Sequence, residues 1–128
     1  MHEYYSIQEL TREFSITART LRYYEDVGLL VPFRRGRVRL YTPSDRSRLQ
    51  RILRAKRLNF SLEQISDLLA VTSQPSSIPV EIEKQIAHLH DMRAKLRKMQ
   101  QEIKDAHYEL DRVEEICFER LAELRVNR

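Results

Sequence analysis

The strongest constraint in this sequence is a seven-residue repeat in its second half. Apolar residues recur at every seventh position from Ile82 to Leu124, and a second, mostly apolar set lies three residues after them. This spacing places both sets along one side of a helix, which is buried only when a second helix packs against it. We therefore predict that residues 80–128 form a dimerisation helix that pairs with a second copy of the chain. The predicted seam residues are Ile82, Leu89, Met92, Leu96, Met99, Ile103, Ala106, Leu110, Val113 and Cys117.

The repeat becomes less regular near its C-terminal end. Arg120 occupies a seam position, while Ile116, Phe118 and Leu121 place apolar side chains outside the seam. The pattern leaves two alternatives for residues 116–128. They either continue the coiled coil or fold back as a separate short helix.

Charges beside the seam favour one polarity for the helix pair. A parallel pair would bring Glu109 opposite the partner's Glu114, and these like charges repel. An antiparallel pair would instead bring Lys95 opposite the partner's Glu102, twice by symmetry. The sequence therefore predicts an antiparallel homodimer.

A polar segment divides the chain into two parts of different charge. Residues 72–79 contain two prolines and no charged residue, as is typical of a linker. Residues 1–71 carry 13 Lys/Arg and 8 Asp/Glu, whereas residues 72–128 carry 10 and 11. Twelve of the 13 basic residues are arginine, whose planar guanidinium fits phosphates and guanine edges. This excess indicates a nucleic-acid partner for the first part.

Capping residues predict four helices in this first part. Ser6 and Ser61 are each followed three residues later by Glu or Gln, which forms a capping box. Thr17 and Thr42 can cap two further helices, and Gly28 ends the helix that Thr17 begins. The first two helices are short and joined by a tight turn. They therefore predict a helix-turn-helix motif.

A short segment between the second and third helices predicts a β-hairpin wing. In residues 34–41 the turn residue Gly36 is flanked on both sides by residues in the alternating pattern of a strand. The segment also contains four arginines within six positions. No carboxylate lies nearby in the sequence, so we expect these arginines to face an external anion. The fold class predicted here is mainly α, a winged helix-turn-helix domain followed by a long antiparallel dimerisation helix.

The second helix has the chemistry of a recognition helix. Arg19, Arg22 and Tyr23 share one face, whereas Leu21 and Tyr24 point towards the other. Arginine reads guanine O6 and N7 through two parallel hydrogen bonds, and tyrosine can bind phosphate or stack. These residues are suited to the edge of a DNA major groove.

Four sequence runs carry a family resemblance. They are RTLRYYE at 19–25, GLL at 28–30 with Pro32 after it, RLY at 39–41 and RLNFSLEQI at 57–65. The chain around them, from Tyr5 to Leu69, resembles the DNA-binding domain of the MerR family of bacterial transcription regulators. The resemblance implies a homodimer that binds double-stranded DNA at a promoter palindrome, bends and untwists it, and acts with RNA polymerase there. With the capping Thr17 added, the DNA-binding candidates are Thr17, Arg19, Thr20, Arg22, Tyr23, Tyr24, Arg37, Arg39 and Tyr41.

The chain departs from the family pattern at three places. Ser15 follows Phe14 where the family usually has a glycine, and Asn59 replaces the glycine before Phe60. Val38 stands in the wing where tyrosine or another polar residue is common. The backbone tolerates the first two departures, whereas Val38 weakens the expectation of DNA contacts from the wing.

Other classes of function have weaker support. The sequence has no glycine-rich phosphate loop and no nucleophile paired with a base, so we expect no catalytic residue. A single cysteine, Cys117, supplies neither an internal disulfide nor paired metal ligands, so we expect no metal and no cofactor. Two alternatives stay open: a DNA-bending architectural or excisionase-like protein without a promoter-regulatory role, and a coiled-coil adaptor whose basic part is incidental.

The sequence also bears on location. Its longest apolar run is only a few residues around Leu30, and residues 1–10 have neither a basic nor an apolar signal-peptide region. We therefore expect a cytoplasmic protein.

Overall fold

The computed structural model describes residues 3–126 of the chain. They form a mainly helical fold with one two-stranded antiparallel hairpin and a long last helix, as the sequence predicts. The elements in chain order are α1 (Ile7–Phe14), α2 (Ala18–Asp26), β1 (Phe33–Arg35), β2 (Val38–Leu40), α3 (Pro43–Arg57), α4 (Leu62–Ser73) and α5 (Pro79–Val126).

The first four helices begin at the predicted capping residues. The Ser6 hydroxyl accepts a hydrogen bond from the Glu9 backbone N–H at 3.1 Å, and the Glu9 carboxylate accepts one from the Ser6 N–H in return. Thr42 and Ser61 form the same reciprocal pair with residues three positions later. Thr17 accepts from the Thr20 N–H at 3.1 Å. These caps satisfy N–H groups that have no partner within the helix.

Among residues 3–126, four adopt a left-handed backbone where the chain turns. Gly28 ends α2 with φ of +80°, and Gly36 has φ of +65° in the hairpin turn. Ser15 after α1 and Asn59 after α3 have φ of +54° and +61°. The two substitutions for glycine therefore keep the turn geometry, and serine and asparagine bear the steric strain that glycine avoids.

The connection between α4 and α5 is shorter than the predicted linker 72–79. Helix α4 continues through Ser73, whose hydroxyl donates to the Leu69 carbonyl at 2.7 Å, and α5 begins at Pro79. Helix α5 then runs without a break to Val126, so residues 116–126 do not fold back. No glycine or proline follows Pro79 in the sequence, and nothing interrupts the helical backbone. Residues 127 and 128 of the predicted helix lie outside the described residues.

The chain divides into two compact units after Gln85. We call the first unit, up to that residue, the head. Its core joins the helices to the end of the hairpin, where Tyr5 and Tyr41 form an antiparallel β-bridge with N···O distances of 2.7 and 2.9 Å. The largest fully buried side chains of the head are Leu10, Leu21, Leu30, Tyr41, Leu49, Ile52, Ile65 and Leu69.

The second unit is helical and mostly exposed. Among the predicted seam residues, Ile103 is 59% exposed and Leu110 is 65% exposed in the single chain. Met92 differs because its side chain is already buried in the single chain. Within residues 3–126, no helix is both long enough and apolar enough to cross a membrane.

Candidate nucleic-acid interface

Helix α2 presents a polar face outward because its other face is anchored in the core. Leu21 is fully buried and Tyr24 is 5% exposed, which fixes the rotation of the helix. Arg19, Arg22 and Tyr23 then lie on the exposed side. An exposed helix face with two guanidinium groups and a phenol has donors for base edges and for phosphates.

The hairpin β1–β2 turns at Gly36 and Arg37. Phe33 pairs with Leu40 and Arg35 with Val38, so a two-residue loop joins the strands. Positive φ occurs at the first loop residue but not at Arg37, as in a type II′ turn, whose twist suits a hairpin. We call this hairpin the wing, and its turn places Arg37 at its exposed end.

Helix α2 and the wing share one concavity. Arg22 of α2 and Arg37 and Arg39 of the wing line a cavity of about 220 Å³ together with residues 6–8 at the start of α1. Arg22 and Arg37 give this opening a positive potential, to which the N-terminus of α1 adds, while the charge of Arg39 is balanced by Glu25 at 3.0 Å. The cavity therefore has the charge and the donors to hold an anion such as a phosphate group.

Two residues predicted to bind DNA are core residues instead. Tyr41 is fully buried and Tyr24 is 5% exposed, so their assignment to the DNA-binding surface was wrong. Burial raises the pKa of both phenols, and for Tyr41 the hydrogen bond to Glu25 raises it further. Both side chains were assigned from the family resemblance, while their rings supply apolar area that a small head needs.

Glu25 is the residue that the sequence analysis missed. Its carboxylate accepts a hydrogen bond from the Tyr41 hydroxyl, and its Oε2 lies 3.0 Å from Nε of Arg39. This ion pair lacks regular hydrogen-bond geometry, since the buried Arg39 Nε has no hydrogen-bond partner among the described residues. The expectation that the wing arginines lack a carboxylate is therefore wrong for Arg39. The sequence held one signal for Glu25: a carboxylate in the last turn of a helix interacts unfavourably with the helix dipole, so it indicates a partner elsewhere in the fold.

The two threonines of the predicted set serve the helix start. Thr17 caps α2, and its hydroxyl lies 3.0 Å from that of Thr20. Thr17 is exposed and Thr20 is partly exposed, so both stay at the surface beside Arg19. In the free chain Thr17 fixes the N-terminus of α2 by accepting the Thr20 N–H.

Several arginines of the head form hydrogen bonds or ion pairs with other residues of the head. Arg46 forms a two-pronged ion pair with Glu13 that ties α3 to α1, and the Glu13 bond raises the pKa of Arg46. Arg48 donates from Nε to the Leu29 carbonyl at 2.6 Å, and Arg51 donates to the Thr72 hydroxyl at 3.1 Å. The positive charge of the head therefore overstates the number of arginines directed at a partner.

Comparison with known proteins identifies the family. The family model described as MerR HTH family regulatory protein matches residues 5–71, and the model described as MerR, DNA binding matches residues 46–106. The chain belongs to the MerR family of transcriptional regulators. This membership confirms that it is a DNA-binding type of protein and not an enzyme.

Individual relatives extend the match beyond the head. The transcriptional regulator ZntR of Escherichia coli is 38% identical over 109 residues, covering 74% of this chain and 77% of ZntR. The transcriptional activator TipA of Streptomyces coelicolor is 34% identical over 105 residues, covering 80% of this chain, which spans 40% of the length of TipA. HiNmlR, a MerR family regulator bound to promoter DNA, shares the fold at a TM-score of 0.60 and 23% identity, over 79% of this chain and 76% of that one.

Metal chemistry has no visible site in the described part of the chain. Residues 3–126 contain no group of three or more His, Cys, Asp or Glu side chains placed to hold a metal ion. Cys117 is exposed on α5 as a free thiol.

Proposed function

We propose that this chain regulates transcription as an antiparallel homodimer that binds a palindromic promoter site through its two heads and distorts the DNA between them for RNA polymerase. The observation that carries the proposal is the convergence of Arg22, Arg37 and Arg39 at one concavity between the recognition helix and the wing. DNA offers both base edges and backbone phosphates to such a surface in each half-site.

The exposed stripe on α5 supports the homodimer. Ile103, Leu110 and Val113 are each about half exposed or more, although their spacing is that of a coiled-coil seam. Contiguous apolar surface of this kind marks an interaction site, and a second copy of the same stripe is its natural partner.

The charge distribution along α5 supports the antiparallel polarity. Residues 84–104 carry six basic and two acidic side chains, whereas residues 105–125 carry three basic and seven acidic ones. In the antiparallel register that brings Lys95 opposite the partner's Glu102, His88 also lies opposite the partner's Glu109, and each pair forms twice by symmetry. A parallel pair would instead bring Glu109 opposite the partner's Glu114, where like charges repel, and is disfavoured.

The twofold axis of such a dimer determines the form of its DNA site. Two equivalent heads require two equivalent half-sites, separated by about one helical turn or a multiple. HiNmlR has the same fold and is bound to promoter DNA, which supports a promoter as the target here. Base pairs between the half-sites would then be selected by their deformability.

Two arginine substitutions test this function. Arg22→Ala is expected to weaken binding to the cognate duplex by about 1 to 3 kcal/mol and to relax preference at one position of each half-site, because Arg22 lies on the exposed face of α2 and its two donors match guanine O6 and N7. Arg37→Ala is expected to weaken binding to cognate and scrambled duplexes alike, and to lower the salt slope by about 1 for each phosphate that the variant no longer neutralises.

The measurement is a binding titration on both duplexes at several salt concentrations. Arg12, an exposed arginine in the last turn of α1 that does not line the concavity, provides the matched Arg→Ala control. Equal losses on both duplexes for Arg22→Ala would remove α2 from its role as the reading helix. Absence of saturable DNA binding by the wild-type chain would favour a coiled-coil adaptor. Binding without any effect on transcription from a promoter that carries the site would favour the architectural alternative.

A further inference from the structure

The carboxylate of Glu25 joins the recognition helix to the wing. It lies at the end of α2, and both of its partners lie at the end of the wing, at Arg39 in β2 and at Tyr41 directly after it. The Glu25 side chain is only 8% exposed, so this contact is shielded from solvent and from screening by salt. The carboxylate therefore acts inside the head and not as a surface charge.

Local helix energetics oppose a carboxylate at this position. The last turn of α2 holds Glu25 and Asp26 and contains no basic residue, so both charges face the negative end of the helix dipole. A residue that breaks a local rule needs a compensating interaction elsewhere in the fold. For Glu25 that interaction is with the wing.

The wing needs such a partner because it concentrates positive charge. Arg34 and Arg39 are directly opposite each other in the hairpin, so their side chains share one face. Like charges in this arrangement repel, and Glu25 neutralises one of them. The neutralised arginine is also one of the three that line the concavity shared with Arg22 and Arg37.

We propose that Glu25 is a positioning residue for DNA binding: by holding Arg39 and Tyr41 it sets the wing relative to the recognition helix, so that both reach the same half-site. This role rests on the proposed function. Tyr41 is fixed on its other side by the bridge to Tyr5, and Glu25 supplies the contact that fixes the wing to α2.

Neutralising Glu25 gives opposite outcomes under two physical models. Simple electrostatics predicts tighter DNA binding, since a negative charge near DNA is removed. The positioning role predicts that Glu25→Gln weakens cognate binding by roughly tenfold, and lowers the salt slope by about 1 for each phosphate that the wing no longer reaches. Asp26→Asn is the matched control, because Asp26 is the next residue, is exposed and loses the same charge. It should bind as well as the wild type or better.

The binding titrations are made on the full chain after circular dichroism shows that each variant is folded. Amide hydrogen exchange without DNA gives an independent measure, and exchange at residues 38–40 should be faster in Glu25→Gln than in Asp26→Asn. A double-mutant cycle with Arg39→Gln adds a further measure. If Glu25 acts through Arg39, Glu25→Gln should have little additional effect on DNA binding in that background.

If Glu25→Gln does not fold, Glu25→Asp replaces it, since that variant keeps the charge but is one methylene too short to hold both partners. It is expected to weaken binding in the same direction. If the folded variant binds DNA with the affinity and the salt slope of the wild type, the positioning role of Glu25 is overturned and the proposed function is not. A wild-type chain that binds no duplex would overturn the proposed function as well, so the two failures are distinguishable.

Discussion

The head and α5 bury their apolar residues in different ways. In the head, residues such as Leu10, Leu49 and Ile65 are fully buried within one chain. In the second half of α5, Leu110 and Leu124 are 65% and 54% exposed. The head completes its own core, whereas α5 leaves a stripe that only another surface can cover.

This difference shows how the two regions divide the work. A complete core keeps Arg22 and the wing in fixed positions, which a site that reads DNA requires. Helix α5 has no complete core within one chain, so its stability depends on association and therefore on protein concentration. We infer that the head recognises DNA and that α5 forms the twofold dimer.

The largest expected effect comes from a charge in the exposed stripe. Leu110→Glu removes a seam leucine from both copies, and burying each contributes about 2 kcal/mol, so the dimer dissociation constant should rise about a thousandfold. DNA affinity should fall with it, because each head then binds one half-site alone. Sedimentation equilibrium over a range of concentrations measures the dimer.

Tyr108→Glu is the control that separates seam from surface. Tyr108 is 67% exposed, close to the 65% of Leu110, but it lies outside the seam. This variant should therefore dimerise like the wild type. Equal loss of the dimer in both variants would show that the stripe is not the interface.

A cavity in the head tests the other side of the comparison. Leu49 of α3 is fully buried, so Leu49→Ala should lower the free energy of unfolding of the head by about 2 to 5 kcal/mol. The loss should be the same at every protein concentration, because the contacts are within one chain. Urea denaturation at two concentrations checks this, with the exposed Gln50→Ala as a control expected to change stability by less than about 0.5 kcal/mol. A concentration-dependent loss for Leu49→Ala would contradict a self-sufficient head.

The smallest expected effect tests the polarity of α5. In the antiparallel register Lys95 faces the partner's Glu102 twice, and each exposed pair is worth about 0.2 to 1 kcal/mol, so Lys95→Glu should weaken the dimer roughly twofold to thirtyfold. Adding Glu102→Lys should restore it. In a parallel pair Lys95 would face the partner's Gln100, and the second substitution would bring no rescue.

Short-range features of the head were predictable from the sequence. The capping residues Ser6, Thr17, Thr42 and Ser61 act within three residues of their partners, so their spacing alone specifies the helix starts. The left-handed turn at Asn59 follows from the same local logic. Family membership was also readable, because its motifs are contiguous runs.

Contacts between distant elements were not predictable in this way. Glu25 and Arg39 are 14 positions apart, on a helix and a strand whose separation no periodicity specifies. The burial of Tyr41 depends on the bridge to Tyr5, which brings together chain segments 36 residues apart. The ion pair of Arg46 with Glu13 joins residues 33 positions apart. Arg46 was counted in the positive charge that indicated a nucleic-acid partner, yet it pairs within the head.

Local signals in the chain were enough to specify the helices, the turns, the wing and the apolar repeat of α5, because caps, glycines and heptads act over a few residues. Which side chains those elements expose became clear only from their packing. Packing buries Tyr24 and Tyr41 in the core. It also places a carboxylate beside Arg39 and brings Arg22 and Arg37 to one concavity. The physical reason is that exposure and ion pairing depend on contacts between elements, and these contacts join residues that lie far apart along the chain.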